Sequence, residues 1–397
     1  MRSASRIEID LVALEHNLLQ VRQRVQHRKI LAVVKADAYG HGAVEVARAL
    51  ASALFSDPLH GPESGVSMLG VAYLDEALSL RQAGLTLPIL LMTGCSVEDI
   101  PDLVRHHITP VLFDMHTVTA LSQYLAARHR TMNVHIKIDT GMGRLGVPVS
   151  DALDFIRKSR AQDGIRVEGI LTHFAEADLQ DLAFAEEQLA LFEALLSCLA
   201  QEGIAIPYCH IANSAAIIRL SSAHLSLVRP GLMLYGYMPI VGGAPPRLCP
   251  IMQVRTRVLA IKNMRAGTPI SYGRTYITPR DCRIAVTSIG YADGYPRALS
   301  NRGIMLASGR RVPVVGRVCM DMTMIDVTMA PSLQVGDWVT VIGSEGDSAI
   351  WADELARLCE TIPYDILCGL GNHLPRTYTS PPSPWGSRGT APAYAES

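Results

Sequence analysis

The sequence predicts an α/β protein: an N-terminal (β/α)8 barrel of the TIM type followed by a C-terminal, predominantly β domain. Three observations carry this. Short β-rich runs alternate with amphipathic helical stretches as far as about Tyr237. Beyond that point helical periodicity nearly vanishes, and short strands punctuated by Gly, Pro and Asp-Gly turns take over. The chemically capable polar residues fall where the runs of the first part end, as a barrel with its site at the carboxyl ends of its strands requires.

The runs read as barrel strands are Lys29–Lys35, Ser67–Tyr73, Pro88–Thr93, Ile108–Asp114, Asn133–Asp139, Arg166–His173, Tyr208–Asn213 and Ser226–Gly231. Most are continuously apolar, as strands of a parallel sheet covered on both faces should be. Helical patterns lie between them at Val44–Ala53, Asp75–Ala83, His116–Arg128, Asp151–Ser159 and Leu182–Ala200, with Leu14–Val25 before the first strand. A doubly wound open sheet would also alternate in this way and is the competing architecture.

The second domain is expected to contain strands at Gln253–Lys262, Cys282–Ser288, Gly303–Ala307, Arg311–Val318, Thr323–Asp326 and Asp337–Ile342, with one helix near Trp351–Leu358. The division is read as a barrel over 1–238 and a β domain over 239–380, with the junction at Val241–Pro246. Residues 381–397, rich in Pro, Ser, Gly and Ala, read as a disordered tail, and Phe55–Gly65 reads as a polar insertion in a loop.

The net charge of −1 over 397 residues gives no reason to expect nucleic acid or an anionic membrane surface as partner. No apolar run has the length of a signal peptide core or a membrane span. The 8 cysteines are scattered without a C-x-x-C pair, which fits reduced thiols in the cytoplasm rather than a disulfide framework or a zinc site.

The most informative segment is Ala32–Gly42, in which Lys35 ends an apolar run and Tyr39, Gly40 and Gly42 follow. Burying an ammonium is expensive, so a lysine placed there either snorkels to water or carries chemistry. Desolvation and neighbouring cations lower a lysine pKa and free the amine for Schiff-base work. Arg144 follows the fifth strand, His173 ends the sixth, Asn213 and Ser214 end the seventh, and Arg229 and Gly231 end the eighth. In a barrel all of these converge on one mouth, which favours an enzyme.

Gly141–Gly146 matches the dinucleotide pattern G-x-G-x-x-G letter for letter. That fingerprint needs a helix opening within the glycine turn, whereas here Val147-Pro148 intervenes and the helix is expected from Ser150 as N-cap. A nucleotide site is therefore disfavoured. Arg144 in this loop suits a carboxylate, which its planar fork can bind. Ser214 and Gly231 suit the phosphate site that such barrels form after their last two strands. Taken alone, Ser214 is as well explained as a helix N-cap.

Together these segments resemble the pyridoxal-phosphate-dependent alanine racemase family. The resemblance runs from Leu31 to Tyr378 and rests on Ala32–Gly42, Asp139–Gly146, His210–Ala216, Arg229–Gly236, Ile270–Tyr276, Ile289–Tyr295, Gly316–Asp321 and Thr361–Tyr364. It implies pyridoxal 5′-phosphate as cofactor, held covalently by Lys35, which then serves as one proton-transfer base. Tyr272 would be the opposite base, entering from the β domain of a second subunit. Arg229 would face the pyridine nitrogen, and Tyr39, Ser214, Gly231 and Tyr364 would hold the phosphate, with Asn213 beside them. His173 would pack against the ring and His210 would support Arg229. Arg144 and the backbone of Met320 would bind the substrate carboxylate, with Asp321 in support. Lys137 matches a lysine that is often carbamylated in this family. The resemblance implies a homodimer with shared sites acting on a small amino acid.

The chemistry agrees. Racemisation removes a proton from one face and returns one to the other, so two bases on opposite faces are the simplest arrangement. A free tyrosine titrates at about 10 and needs nearby cations, for which Arg274 and Arg144 are candidates. An arginine can only donate, so it leaves the pyridine nitrogen unprotonated and weakens the electron sink, which disfavours transamination. Three alternatives are open: a basic-amino-acid decarboxylase, which would need a carboxylate in place of Arg229; a non-catalytic cofactor carrier, which would need no β domain; and a racemase of serine or of broader specificity.

Overall fold

A computed structural model describes residues 4–52, 65–239, 246–372 and 374–379. The 381–397 tail, most of Phe55–Gly65 and nearly all of the Val241–Pro246 junction lie outside the described residues. Eight parallel strands form the barrel: Lys29–Val33, Met68–Val71, Ile89–Leu91, Ile108–Leu112, Met132–Asp139, Ile165–Leu171, Tyr208–His210 and Leu227–Val228. The first seven pair each with the next, and the eighth pairs with the first, with Leu227 opposite Lys29 and Val228 opposite Ile30. The seam between the seventh and eighth strands is a looser join, closed by Ser226 N–H to Cys209 O (3.3 Å) and Arg229 N–H to Ala212 O (2.9 Å). The open sheet is thereby excluded. Ile30, Leu31, Leu69, Ile89, Val134 and Ile170 are fully buried, because helices cover the outer face and side chains fill the interior.

The expected helices are present with shifted ends. The first runs Leu11–Val25, three residues earlier than expected, because Asp10 caps it by accepting from the N–H groups of Val12 and Ala13. The helix expected from Ser150 begins at Val149, with Pro148 before it supplying the extended entry. The helix after the seventh strand, Ser214–Arg219, is capped by Asn213, whose side chain accepts from Ala216 N–H; Ser214 is therefore not the cap.

The second sheet is built around the long strand Met252–Met264. This strand pairs antiparallel with Ser5–Asp10, Trp338–Glu345 and Cys282–Thr287, and the last continues to Thr323–Asp326. Ser5–Asp10 was not expected as a strand. It pairs in parallel with Arg376–Thr379, so the two ends of the described chain lie side by side in the C-terminal sheet. The span 1–238 thus lends its first strand to the other sheet. Pairing ends early in the expected strand Arg311–Val318, which covers only Arg310–Pro313.

The helix at Ala352–Cys359 is joined by a second, Pro363–Gly371, with proline in its first turn. This helix packs against the turn that follows Lys35. A Cβ on Gly40 would come within 2.5 Å of Leu367 O and 2.9 Å of Gly371 Cα, so the two backbones touch because Gly40 has no side chain. The contact carries Tyr364 to the barrel mouth.

Candidate active site

Strand ends bring most of the expected residues into one cavity of about 410 Å³ at the carboxyl end of the barrel. Lys35, Tyr39, Lys137, Arg144, His173, Asn213, Ser214, Arg229, Gly231 and Tyr364 all line it. His210 lies directly behind Arg229. Tyr272, Met320 and Asp321 do not line it. They are exposed on the β domain, Tyr272 to 71% and Met320 to 54%, and Tyr272 shares a separate hollow with Cys319 and Met322.

Lys35 is half-buried where the first strand gives way to a left-handed turn, with Ala36, Asp37, Ala38 and Tyr39 at φ 51, 52, 53 and 56°. Burial, and then the Arg144 charge, hold its amine below the ordinary lysine range. The turn is clamped by Arg376 of the last strand, which bonds Asp37 Oδ2 (2.5 Å) and Gly40 O (3.0 Å). Tyr235, fully buried, donates to Val33 O (2.8 Å), stacks on His41 and meets the Tyr39 ring at a tilt. Sequence reading missed Arg376 and Tyr235.

Arg229 is buried and donates in four directions: to His210 Nδ1 (3.0 Å), Thr172 O (2.7 Å), Ile211 O (3.0 Å) and His173 Nδ1 (3.2 Å). Burial lowers its pKa to about 10, which leaves it a cation at neutral pH. Burial, and then the Arg229 charge, push both His173 and His210 well below the usual histidine range, so both are neutral acceptors toward Arg229. His210 Nε2 lies 2.9 Å from His135 Nδ1, and His135 Nε2 faces Glu168 Oε1 at 3.5 Å. His135 and Glu168 were not anticipated. The available signal was His135, Lys137 and Asp139 alternating with Val134, Ile136 and Ile138, a polar period of two that marks the inward face.

Lys137 is buried and held at about 8, first by burial and then by Arg144 and Arg229. The Asp139–Gly146 loop is a nested turn, with Asp139 Oδ1 accepting from Gly141 and Gly143 N–H. Val147–Pro148 then pairs with the fifth barrel strand before any helix opens, so the glycines shape a loop that presents Arg144, not a dinucleotide turn.

The opposite wall is a cradle of hydroxyls and backbone. Ser214 Oγ accepts from Gly231 N–H (3.0 Å) and Met233 N–H (3.3 Å). A Cβ on Gly231 would lie 2.5 Å from Tyr39 Oη, so the cradle exists only because position 231 has none. Tyr364 meets Tyr39 at a tilt, 5.6 Å between ring centroids, and burial pushes it up to about 12, so it stays a neutral donor. A neutral hydroxyl pair, a serine and a glycine backbone at one end of the cavity, a fixed cation at its side and a lysine with a lowered pKa fit the phosphate, ring and aldehyde of pyridoxal phosphate.

Fold and site together define a pyridoxal-phosphate enzyme of the barrel class. Family models for the alanine racemase N-terminal and C-terminal domains match residues 9–239 and 251–378. The chain belongs to the alanine racemase family. It is 41% identical over 375 residues to the alanine racemase of Halothermothrix orenii, covering 94% of this chain and 96% of that one. To the alanine racemase of Methanococcus maripaludis it is 40% identical, covering 94% and 97%. Among solved structures, the Bacillus anthracis alanine racemase with bound L-Ala-P superposes with a TM-score of 0.86 at 35% identity, covering 96% of each chain. The biosynthetic alanine racemase of Pseudomonas aeruginosa gives 0.82 at 33%, covering 96% of this chain and all of that one.

Proposed function

We propose that this chain interconverts L-alanine and D-alanine by a two-base mechanism. The observation that supports the reading best is Arg229, a buried cation backed by two neutral histidines at the end of the eighth strand, on the same cavity as Lys35. A decarboxylase would require a carboxylate there.

Lys35 would hold the cofactor, Tyr39, Ser214, Gly231 and Tyr364 would hold its phosphate with Asn213 beside them, His173 would pack against the ring, and Arg229 would face the ring nitrogen; all of them line the one cavity. When bound, pyridoxal phosphate supplies the electron sink that acidifies the substrate α-hydrogen. Because Arg229 only donates, it would leave an acceptor nitrogen unprotonated and keep that sink weak. Burial favours the neutral amine of Lys35, so its Nζ can take or return a proton on one face of the substrate. Tyr272 Oη of a second copy works on the other face, which accounts for its exposure in a single chain. Arg144 and the Met320 backbone of the second copy orient the substrate carboxylate, with Asp321 in support. Lys137, held near about 8, keeps an appreciable share of neutral amine, the form that takes up carbon dioxide as a carbamate, and in that state it would orient Arg144.

The working unit is accordingly a homodimer with shared sites, in which 1–238 binds the cofactor and 239–380 completes the neighbour's site. A cytoplasmic location fits the 8 free cysteines, and no helix among the described residues is long and apolar enough to cross a membrane. The test is α-hydrogen exchange in heavy water against L- and D-alanine, L-serine and L-lysine. Exchange and inversion fastest with alanine are expected. A preference for serine, or carbon dioxide release from lysine, would overturn the reading.

A further inference from the structure

Glu76 stands third in the helix Leu74–Gln82. Its Oε2 accepts from the N–H groups of Ala72 (2.7 Å) and Tyr73 (3.1 Å), which is the ordinary work of a glutamate capping a helix start. Its Oε1 does something that capping does not explain: it accepts from the N–H of Ala36 at 2.6 Å, across to the preceding β–α connection. That N–H belongs to the peptide bond of Lys35 itself. It is also the first donor of the left-handed turn, and the leading donors of any helical turn lack internal acceptors.

We infer that Glu76 is a positioning residue for Lys35: its carboxylate ties the Lys35–Ala36 peptide to the neighbouring helix start and so sets the direction from which the lysine side chain enters the cavity. The inference rests on the reading of Lys35 as the cofactor lysine.

The turn needs an outside hold. Four successive non-glycine residues lie in the left-handed region, a conformation that ordinary side chains disfavour. Arg376 grips its middle and far end through Asp37 and Gly40 O. Glu76 is the grip on its near end, where Lys35 departs. The contact is charge-assisted, and a single carboxylate serves both loops, so movement of one is transmitted to the other. Electrostatics agree, since the Glu76 charge opposes the lowering of the Lys35 pKa by burial and Arg144.

Two variants of the cofactor-loaded enzyme test this. Glu76→Gln keeps the size but exchanges one acceptor oxygen for a donor, so it cannot serve both loops. Glu76→Asp keeps a negative charge at the helix start but is one methylene too short to span both loops. By mass spectrometry, backbone hydrogen exchange over residues 35–42 should quicken about tenfold or more in both variants, the size a hydrogen bond to a charged group supports. Exchange over 77–82 should stay near wild type in Glu76→Asp. In both variants kcat should fall about tenfold with KM within about twofold. Unchanged exchange over 35–42, equal quickening of both segments in Glu76→Asp, or an unchanged kcat each overturns the inference. Should Glu76→Gln fail to fold, Glu76→Asp decides alone. Borohydride fixation of the cofactor and peptide mapping of the wild type test the underlying reading separately: label on another lysine removes the role of Lys35 whatever the exchange shows.

Discussion

Arg229 Nη1 donates to His210 Nδ1 across 3.0 Å, and this bond sets the proton positions along the inner histidine chain. A guanidinium cannot accept, so His210 Nδ1 is bare and its proton sits on Nε2, facing His135 Nδ1 at 2.9 Å. His135 must then carry its own proton on Nε2, toward Glu168. The cation at the cavity wall is thus backed by two histidines hydrogen-bonded in series, with a carboxylate 3.5 Å beyond the second.

Removing the acceptor while keeping bulk, as in His210→Leu, should leave a buried cationic donor unpaired. The cost of about 1.5–3 kcal/mol should appear as a kcat lower by about tenfold or more. His210→Asn, which returns an acceptor near Nδ1, should recover part of the rate. Steady-state kinetics of the two variants check this, and equal losses in both would argue that His210 serves packing alone.

Stability should fall in mild acid. His41 is fully buried, bonded through Nδ1 to Ala38 O (2.7 Å), and burial lowers its pKa to about 4. His135, His173 and His210 are lowered as well, burial being the largest cause in each. A histidine whose folded pKa lies below its unfolded value binds fewer protons folded than unfolded. Its contribution is therefore complete above about pH 6.5 and is lost as pH falls toward the folded pKa. For His41 alone the loss at about pH 5 is about 2 kcal/mol. Urea midpoints at about pH 7.5 and about pH 5 should show it, and His41→Phe, which keeps a ring against Tyr235, should reduce the difference.

Gly231→Ala places a methyl 2.5 Å from Tyr39 Oη. Tyr39 must swing away, and with it one wall of the phosphate cradle. Affinity for pyridoxal phosphate should drop about tenfold or more, read from cofactor retained after dialysis. Adding Tyr39→Phe to the same chain removes the clashing oxygen. It should relieve any loss of thermal stability without restoring the affinity, because the hydroxyl is what the cradle lacks.

The barrel was legible because most of its strands are continuously apolar and their polar ends are chemically distinctive. Lys35, Arg144, His173 and Arg229 could each be placed at the mouth from strand order alone. What stayed hidden depends on partners far away in sequence. Ser5–Asp10 becomes a strand only through Met252–Met264 and Arg376–Thr379. Arg376 and Glu76 matter through single bonds to the Lys35 turn that no local pattern announces. Asn213 and Ser214 were both picked out, yet only the fold shows that Asn213 does the capping, which leaves Ser214 free to bind the Gly231 and Met233 N–H groups. Tyr272 is the opposite case. It was identified by resemblance, and the single chain leaves it outside the cavity it is meant to serve.

The central claim is that Lys35 and Tyr272 form one site only across two copies of the chain. Mixing Lys35→Ala with Tyr272→Phe under conditions that exchange subunits tests it most directly, because each mixed dimer would contain one site with both natural residues. Two preparations that are nearly inactive alone should recover about a quarter of the wild-type rate after random exchange. No recovery, in mixtures shown to contain mixed dimers, would contradict the shared site and place both bases, if both are used, within a single chain.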